Sequence, residues 1–200
     1  MRIAMAQINA TVGDIAGNVK KIRRYIKMAR EARSDIVAFP ELAITGYPPQ
    51  DLLIQTDIVE KGAEALEGLY PDARDTVAAV GFVESKGGKL YNAAAILQDC
   101  CLKAVVRKVK LPTYDVFDED RYFTPAEGVR PITLDIQGET VHVGFEICED
   151  LWDNSGIDVT KELASKGAQL IIVINASPYH RGKTQERVEL LRSRARTHRI

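Results

Sequence analysis

The sequence predicts an α/β domain built on a mixed sheet, and three observations carry that reading. Apolar strand-length runs alternate with amphipathic helical stretches over much of the chain. Two pairs of strands are joined by short Gly-containing turns, which makes them antiparallel hairpins. Several strands are continuous apolar runs, as expected where helices or a second layer cover both faces.

The elements follow in order. Residues 3–8 open the domain as a short apolar strand. Asn18 then precedes Val19, Ile22, Ile26 and Ala29, spaced three and four apart with Lys and Arg between them, so the pattern predicts a helix with Asn18 as N-cap. Residues 36–39 form a buried strand that stops at Pro40-Glu41, and the prolines of residues 45–51 impose a loop. Residues 57–69 are helical by pattern, ended by Pro71. Residues 77–83 and 91–97 pair across Ser85-Lys86-Gly87-Gly88, and residues 101–109 continue as a further strand. Residues 113–130 lack periodicity. A loop this long in a compact domain is functional or disordered, and Tyr114, Phe117, Tyr122 and Phe123 argue for order. Residues 132–136 and 140–147 make a second hairpin, residues 161–165 lie in a helix ended by Gly167, and residues 170–174 are a buried strand before a helix over residues 183–198. With no linker or repeat, residues 1–200 read as one domain. The helix that ends beside Ile200 leads to the expectation of a domain incomplete at its C-terminal end, with at least one strand to follow.

Composition narrows the function classes. A chain of 200 residues, 46% hydrophobic, supports a sizeable core. With 27 basic against 28 acidic residues and net charge −1, no nucleic-acid surface is expected, although residues 187–199 are locally Arg-rich. No run reaches the length of a membrane span and no signal-peptide core opens the chain, so no membrane partner and a cytoplasmic location are expected. Cys100, Cys101 and Cys148 cannot all pair, and adjacent cysteines bridge poorly, which fits free thiols in a reducing compartment.

The chemistry centres on the run from Val141 to Trp152. Val141, Val143, Phe145 and Ile147 alternate as in a half-buried strand, and Gly144 inside it implies a close neighbour. The strand delivers Cys148, followed at once by Glu149 and Asp150. Cys148 alone reads equally well as a buried structural thiol. Glu41 could be an ordinary loop-start carboxylate, Lys108 and Lys110 protective lysines on an edge strand, and Glu119 part of a surface acidic cluster. Taken jointly they suggest more. A thiol titrating near 8.5 needs a base at neutral pH, and a desolvated carboxylate can serve while a lysine stabilises an oxyanion. His142 lies six residues before Cys148 on one strand, roughly 20 Å away, which leaves His180 as the alternative base. No Cys-x-x-Cys or His-x-x-x-His spacing is present, so no metal site is expected.

Phe39-Pro40-Glu41-Leu42, Arg107-Lys108-Val109-Lys110-Leu111-Pro112 and Gly144-Phe145-Glu146-Ile147-Cys148-Glu149-Asp150 occur in the order of three catalytic blocks. Through them the chain resembles, over essentially its whole length, the nitrilase (carbon–nitrogen hydrolase) superfamily. Residues 41–53, 111–119, Arg121-Tyr122-Phe123, 148–152 and Asn175-Ala176-Ser177-Pro178-Tyr179 are similar to the glutaminase domain of the glutamine-dependent NAD synthetases. One departure is local: the family's Tyr-Phe-x-Pro-Gly is replaced by Tyr122-Phe123-Thr124-Pro125 followed by Ala126-Glu127-Gly128.

The resemblance implies an αββα four-layer sandwich. It implies Glu41 as general base, Cys148 as nucleophile and Lys108 as oxyanion stabiliser, chosen over Lys110 because the family's lysine stands three residues before the Leu. Glu119 would orient the lysine, and Tyr114, Glu149 and Ser177 would hold glutamine. The implied reaction is hydrolysis of glutamine through a Cys thioester, with no cofactor for that step. Its ammonia would go to a synthetase domain absent from this chain, which would amidate deamido-NAD with ATP and Mg, and a homo-oligomer is expected. A free-standing amidase, carbamoylase or nitrilase acting on another small amide is the alternative within enzymes. An inactive binding module is the alternative outside them, opposed by the intact Glu41, Lys108 and Cys148. The short Lys86-Gly87-Gly88-Lys89 turn is no phosphate cradle.

Overall fold

A computed structural model describes residues 1–152 and 156–200. Its strands form two sheets, each of them mixed. The first orders β1 (Ile3–Met5), β2 (Ile36–Ala38), β3 (Val77–Lys86), β4 (Lys89–Gln98) and β5 (Cys101–Arg107), parallel from β1 to β3 and antiparallel from β3 to β5. The second orders β6 (Ile132–Ile136), β7 (Glu139–Ile147) and β8 (Leu170–Ile174), antiparallel then parallel. The helices are α1 (Ile15–Glu31), α2 (Leu52–Gln55), α3 (Ile58–Glu67), α4 (Glu149–Trp152), α5 (Val159–Ser165) and α6 (Lys183–His198).

Strand alternation explains the layering. Successive side chains point to opposite faces, so a continuous apolar strand must be covered twice. Ile36, Val77, Ala79, Ala94 and Ile96 meet Leu134, Val143, Phe145 and Ile172 of the second sheet. Their neighbours Val37, Ala78, Val80, Ala93 and Ala95 face the other way, onto Ile22, Ile26 and Ala29 of α1 and Leu66 of α3. On the far side, Val159 and Leu163 of α5 cover β7 and β8. The result is the αββα sandwich the resemblance implied. Helix α6 buries no residue, and β1 and β8 each pair on one side only, with Met5 largely exposed. Among the described residues no helix is long and apolar enough to cross a membrane.

Several expected boundaries move. Asp14, not Asn18, caps α1, accepting from the Gly17 N–H. Asn18 lies inside the helix, fully buried, and its amide pins the Thr11 and Ile44 carbonyls. A polar side chain wanted for tertiary bonding thus mimicked a cap. Strand β1 ends at Met5 and β5 at Arg107, so Lys108 sits just beyond the sheet. Two glycines permit close approach. A Cβ on Gly144 would press on Leu163 and Ile171, and one on Gly81 would collide with the backbone of Pro40, Glu41 and Leu42.

One core position is costly. Glu146 points from β7 into the outer helix layer, fully buried, where the Thr160 hydroxyl and Arg194 only partly offset the cost of a buried carboxylate. Burial pushes its carboxyl up to about 7 from 4.5. The folded chain therefore binds this proton more tightly than the unfolded chain. The neutral acid favours the fold below pH 4.5, and that contribution is lost as pH rises through 7. Glu146→Gln should accordingly raise stability at pH 8 by on the order of 3 kcal/mol, with the gain vanishing near pH 4. The unfolding midpoint, followed by fluorescence of Trp152, the one tryptophan in the chain, checks this.

Candidate active site

Three strand ends that are remote in sequence meet at one end of the sandwich. Pro40-Glu41 follows β2, and its turn lies over β3, where Phe39 N–H donates to Ala79 O and Ile44 N–H to Gly81 O. Leu42, next to Glu41, has φ +46°, a left-handed conformation unfavourable for a branched side chain. Lys108 follows β5, held by its N–H to Asn92 O and by Ala126 N–H on its own carbonyl. The segment where the family pattern is broken therefore still braces the lysine. Cys148 follows β7 at φ +48°, with its N–H on Ile174 O. A non-glycine residue held there stores strain that the surrounding structure must sustain.

At the centre is the Lys108 ammonium, 2.8 Å from Glu41 Oε1 and 2.9 Å from Glu119 Oε1. The Lys108 and Glu41 side chains are fully shielded from solvent and Glu119 nearly so. The edge-strand and surface readings of these residues are thereby excluded. Asn92 Nδ2 donates to Glu41 Oε1 at 2.8 Å and to Glu119 Oε2 at 3.4 Å, the Tyr47 hydroxyl donates to Glu119 Oε1, and Ala176 N–H donates to Glu41 Oε2 at 3.0 Å. Burial by itself would lower the lysine pKa, but Glu41 and Glu119 carry it above its ordinary value. Burial raises Glu119, opposed by Lys108.

Cys148 is 4% exposed and within electrostatic reach of this cluster. Burial pushes its thiol well above 9.0, Glu41 adds to the rise, and Lys108 opposes it. These influences together favour the neutral thiol over the thiolate. Glu149 and Tyr114 flank it: the Tyr114 hydroxyl contacts both Glu149 oxygens, at 3.0 and 2.9 Å, and packs edge-on against Phe117. With Lys110, Leu111, Pro112 and Thr113 they line an open cleft of about 540 Å³. Ser177, next to the Ala176 amide, is half-buried and accepts a hydrogen bond from Arg187 at 2.8 Å.

The alternative base fails on geometry. His180 is exposed and faces Glu186 at 3.5 Å, while His142 faces Thr133. Among the described residues no group of three His, Cys, Asp or Glu is placed to hold a metal ion. Sequence reasoning missed Tyr47, Asn92, the Ala176 amide and Asp150. Asn92 left a trace, the one amide heading the apolar run 93–97, and Asp150 was visible only as the second acid after the thiol.

The raised thiol gives a direct test. Alkylation of Cys148 by iodoacetamide should climb continuously with pH beyond 9, whereas a plateau between pH 6 and 8 would show a preformed thiolate and contradict the site described above.

The carbon-nitrogen hydrolase family model matches residues 2–197. A glutamine-dependent NAD(+) synthetase of Xanthomonas campestris is 44% identical over 98% of this chain, and one of Thermotoga maritima 36% identical over 98%. The chain spans about a third of their length, 35% and 33%. The solved glutamine-dependent NAD+ synthetase of Acinetobacter baumannii superposes with TM-score 0.88 at 32% identity, over 98% of this chain and 36% of its own. An amidase from Nesterenkonia shares the fold, with TM-score 0.82 at 24% identity over 100% of this chain and 73% of its own. A buried acid–lysine–thiol cluster at the strand ends of an αββα sandwich, in a chain matched by the family model almost from end to end, makes this protein a member of the carbon–nitrogen hydrolase family.

Proposed function

We propose that the chain is a glutamine amidohydrolase that releases ammonia through a thioester on Cys148. The observation that carries this reading is the fully buried Lys108 ammonium between Glu41 and Glu119, with the Cys148 sulfur buried alongside. Two carboxylates and one ammonium hold a net negative charge. Passing the thiol proton to Glu41 conserves that charge while moving it to sulfur, so no charge enters the buried site from outside.

In the proposed sequence Glu41 takes the proton from Cys148 and the thiolate attacks the side-chain amide carbon of glutamine. The oxyanion is stabilised by Lys108 and by the N–H of Glu149, which opens α4, where an N–H has no intrahelical acceptor. Glu41 returns the proton to the nitrogen as the C–N bond breaks and ammonia leaves. Water, deprotonated by Glu41, then attacks the γ-glutamyl thioester, giving glutamate and the free thiol. Glu119, Asn92 and Tyr47 hold the lysine and base in place. The carboxylate of Glu149, paired with Tyr114 at the cleft, suits the cationic α-amino group of glutamine, and Ser177 lies on the segment that caps Glu41.

In the whole protein the ammonia would serve a covalently joined synthetase domain, which amidates deamido-NAD using ATP and Mg. The names of the relatives support that assignment. Homo-oligomeric assembly and a cytoplasmic location belong to the same proposal. Cys148→Ala in the whole protein should abolish glutamine-dependent synthesis of NAD and leave ammonia-dependent synthesis intact. Equal loss of both would refute the division of labour. A wild-type protein that prefers other small amides to glutamine would point to an amidase instead.

A further inference from the structure

We propose that Asp150 is a positioning residue for the hydrolysis, a carboxylate clamp that fixes the spacing between the Lys108 ammonium and the Cys148 sulfur. The proposal rests on the glutaminase reading and deepens it. Lys108 leaves the edge strand of one sheet and Cys148 leaves the central strand of the other. Between the sheets lies an apolar core, and burial of apolar surface is non-directional. It holds the layers together without dictating how one strand end lies against the other.

Asp150 supplies the direction. Its Oδ1 accepts from the N–H of Val109 at 3.0 Å and of Lys110 at 2.9 Å, the two residues after Lys108. Its Oδ2 accepts from the N–H of Ile147 at 3.1 Å, the residue before Cys148. One buried carboxylate, 2% exposed, thus grips both chains that carry the reacting groups. All three contacts are N–H donors on its two oxygens, which suits an acceptor-only carboxylate and gives hydrogen bonds of the stronger, charge-assisted kind. Burial pushes its carboxyl up to about 6, opposed by these N–H groups and by Lys108. The site demands an acceptor on both oxygens. Asparagine offers one acceptor oxygen and an NH2, which would turn a donor toward at least one of the three N–H groups. Glutamate keeps the charge but is one methylene too long.

The test compares Asp150→Asn and Asp150→Glu with wild type in the whole protein. For both, kcat for glutamine hydrolysis should fall roughly 100-fold, the scale of an ångström-sized misplacement of reacting groups, with KM little changed. The pH profile of Cys148 alkylation by iodoacetamide should move to higher pH, because Lys108 no longer offsets Glu41, Glu119 and Glu149 around the sulfur. Resistance of residues 1–200 to limited proteolysis should persist, reporting an intact fold of this domain. Unchanged kcat with an unshifted alkylation profile would overturn the clamp. So would rapid proteolysis of residues 1–200 in both variants, which would assign Asp150 to folding alone. A wild-type protein that hydrolyses no glutamine would refute the glutaminase reading, leaving the alkylation profile to judge Asp150.

Discussion

The ammonium of Lys108 is sealed from solvent between two carboxylates, and the rest of the active-site architecture follows from keeping it there. A charge buried without partners costs several kcal/mol, and truncating one member of a buried pair costs about 3–5 kcal/mol because the other is left uncompensated. The sandwich meets that demand from four directions. Glu41 comes from the end of β2, Glu119 from the long loop after β5, Asn92 from β4, and Tyr47 from the loop after Glu41. Such a cluster is weak as a source of stability. In the proposed reaction its value lies in holding a positive charge where the oxyanion would develop, shielded from bulk solvent.

Backbone strain and close packing share the work of aiming the groups. Left-handed conformations at Leu42 and Cys148 turn the chain sharply beside the base and at the thiol. Gly81 leaves room for the Glu41 turn to lie directly on β3, and Gly144 lets α5 settle on β7. These devices sit on strands that are covered on both faces, so the side chains they present are carried by the most rigid part of the fold.

Much of this was legible in the sequence because the strands are long apolar runs and the chemistry sits at their ends. Helix α6 and strand β8 lie where their patterns put them, and Lys108 lies between Glu41 and Glu119, with Cys148 within electrostatic reach. What was illegible depends on tertiary partners. Asn18 looked like a cap, yet it faces inward to hold two loop carbonyls. Asn92, Tyr47 and the Ala176 amide carry no local signature, since an amide, a phenol and a main-chain N–H become site groups only when distant strands bring carboxylates to them. The division into two sheets came from the family resemblance and not from the strand patterns. Periodicity reports which face is covered, not whether a helix or another sheet covers it.

In the proposed reaction acid, ammonium and thiol act as one unit on a glutamine amide. The most direct measurement is covalent trapping by 6-diazo-5-oxonorleucine, a glutamine analogue that alkylates the attacking nucleophile, with the adduct mapped by peptide mass spectrometry. The account predicts modification at Cys148 alone, with Cys100 and Cys101 untouched, and its loss in Glu41→Gln and Lys108→Ala. Labelling of another residue, or undiminished labelling of Cys148 without Glu41, would contradict it.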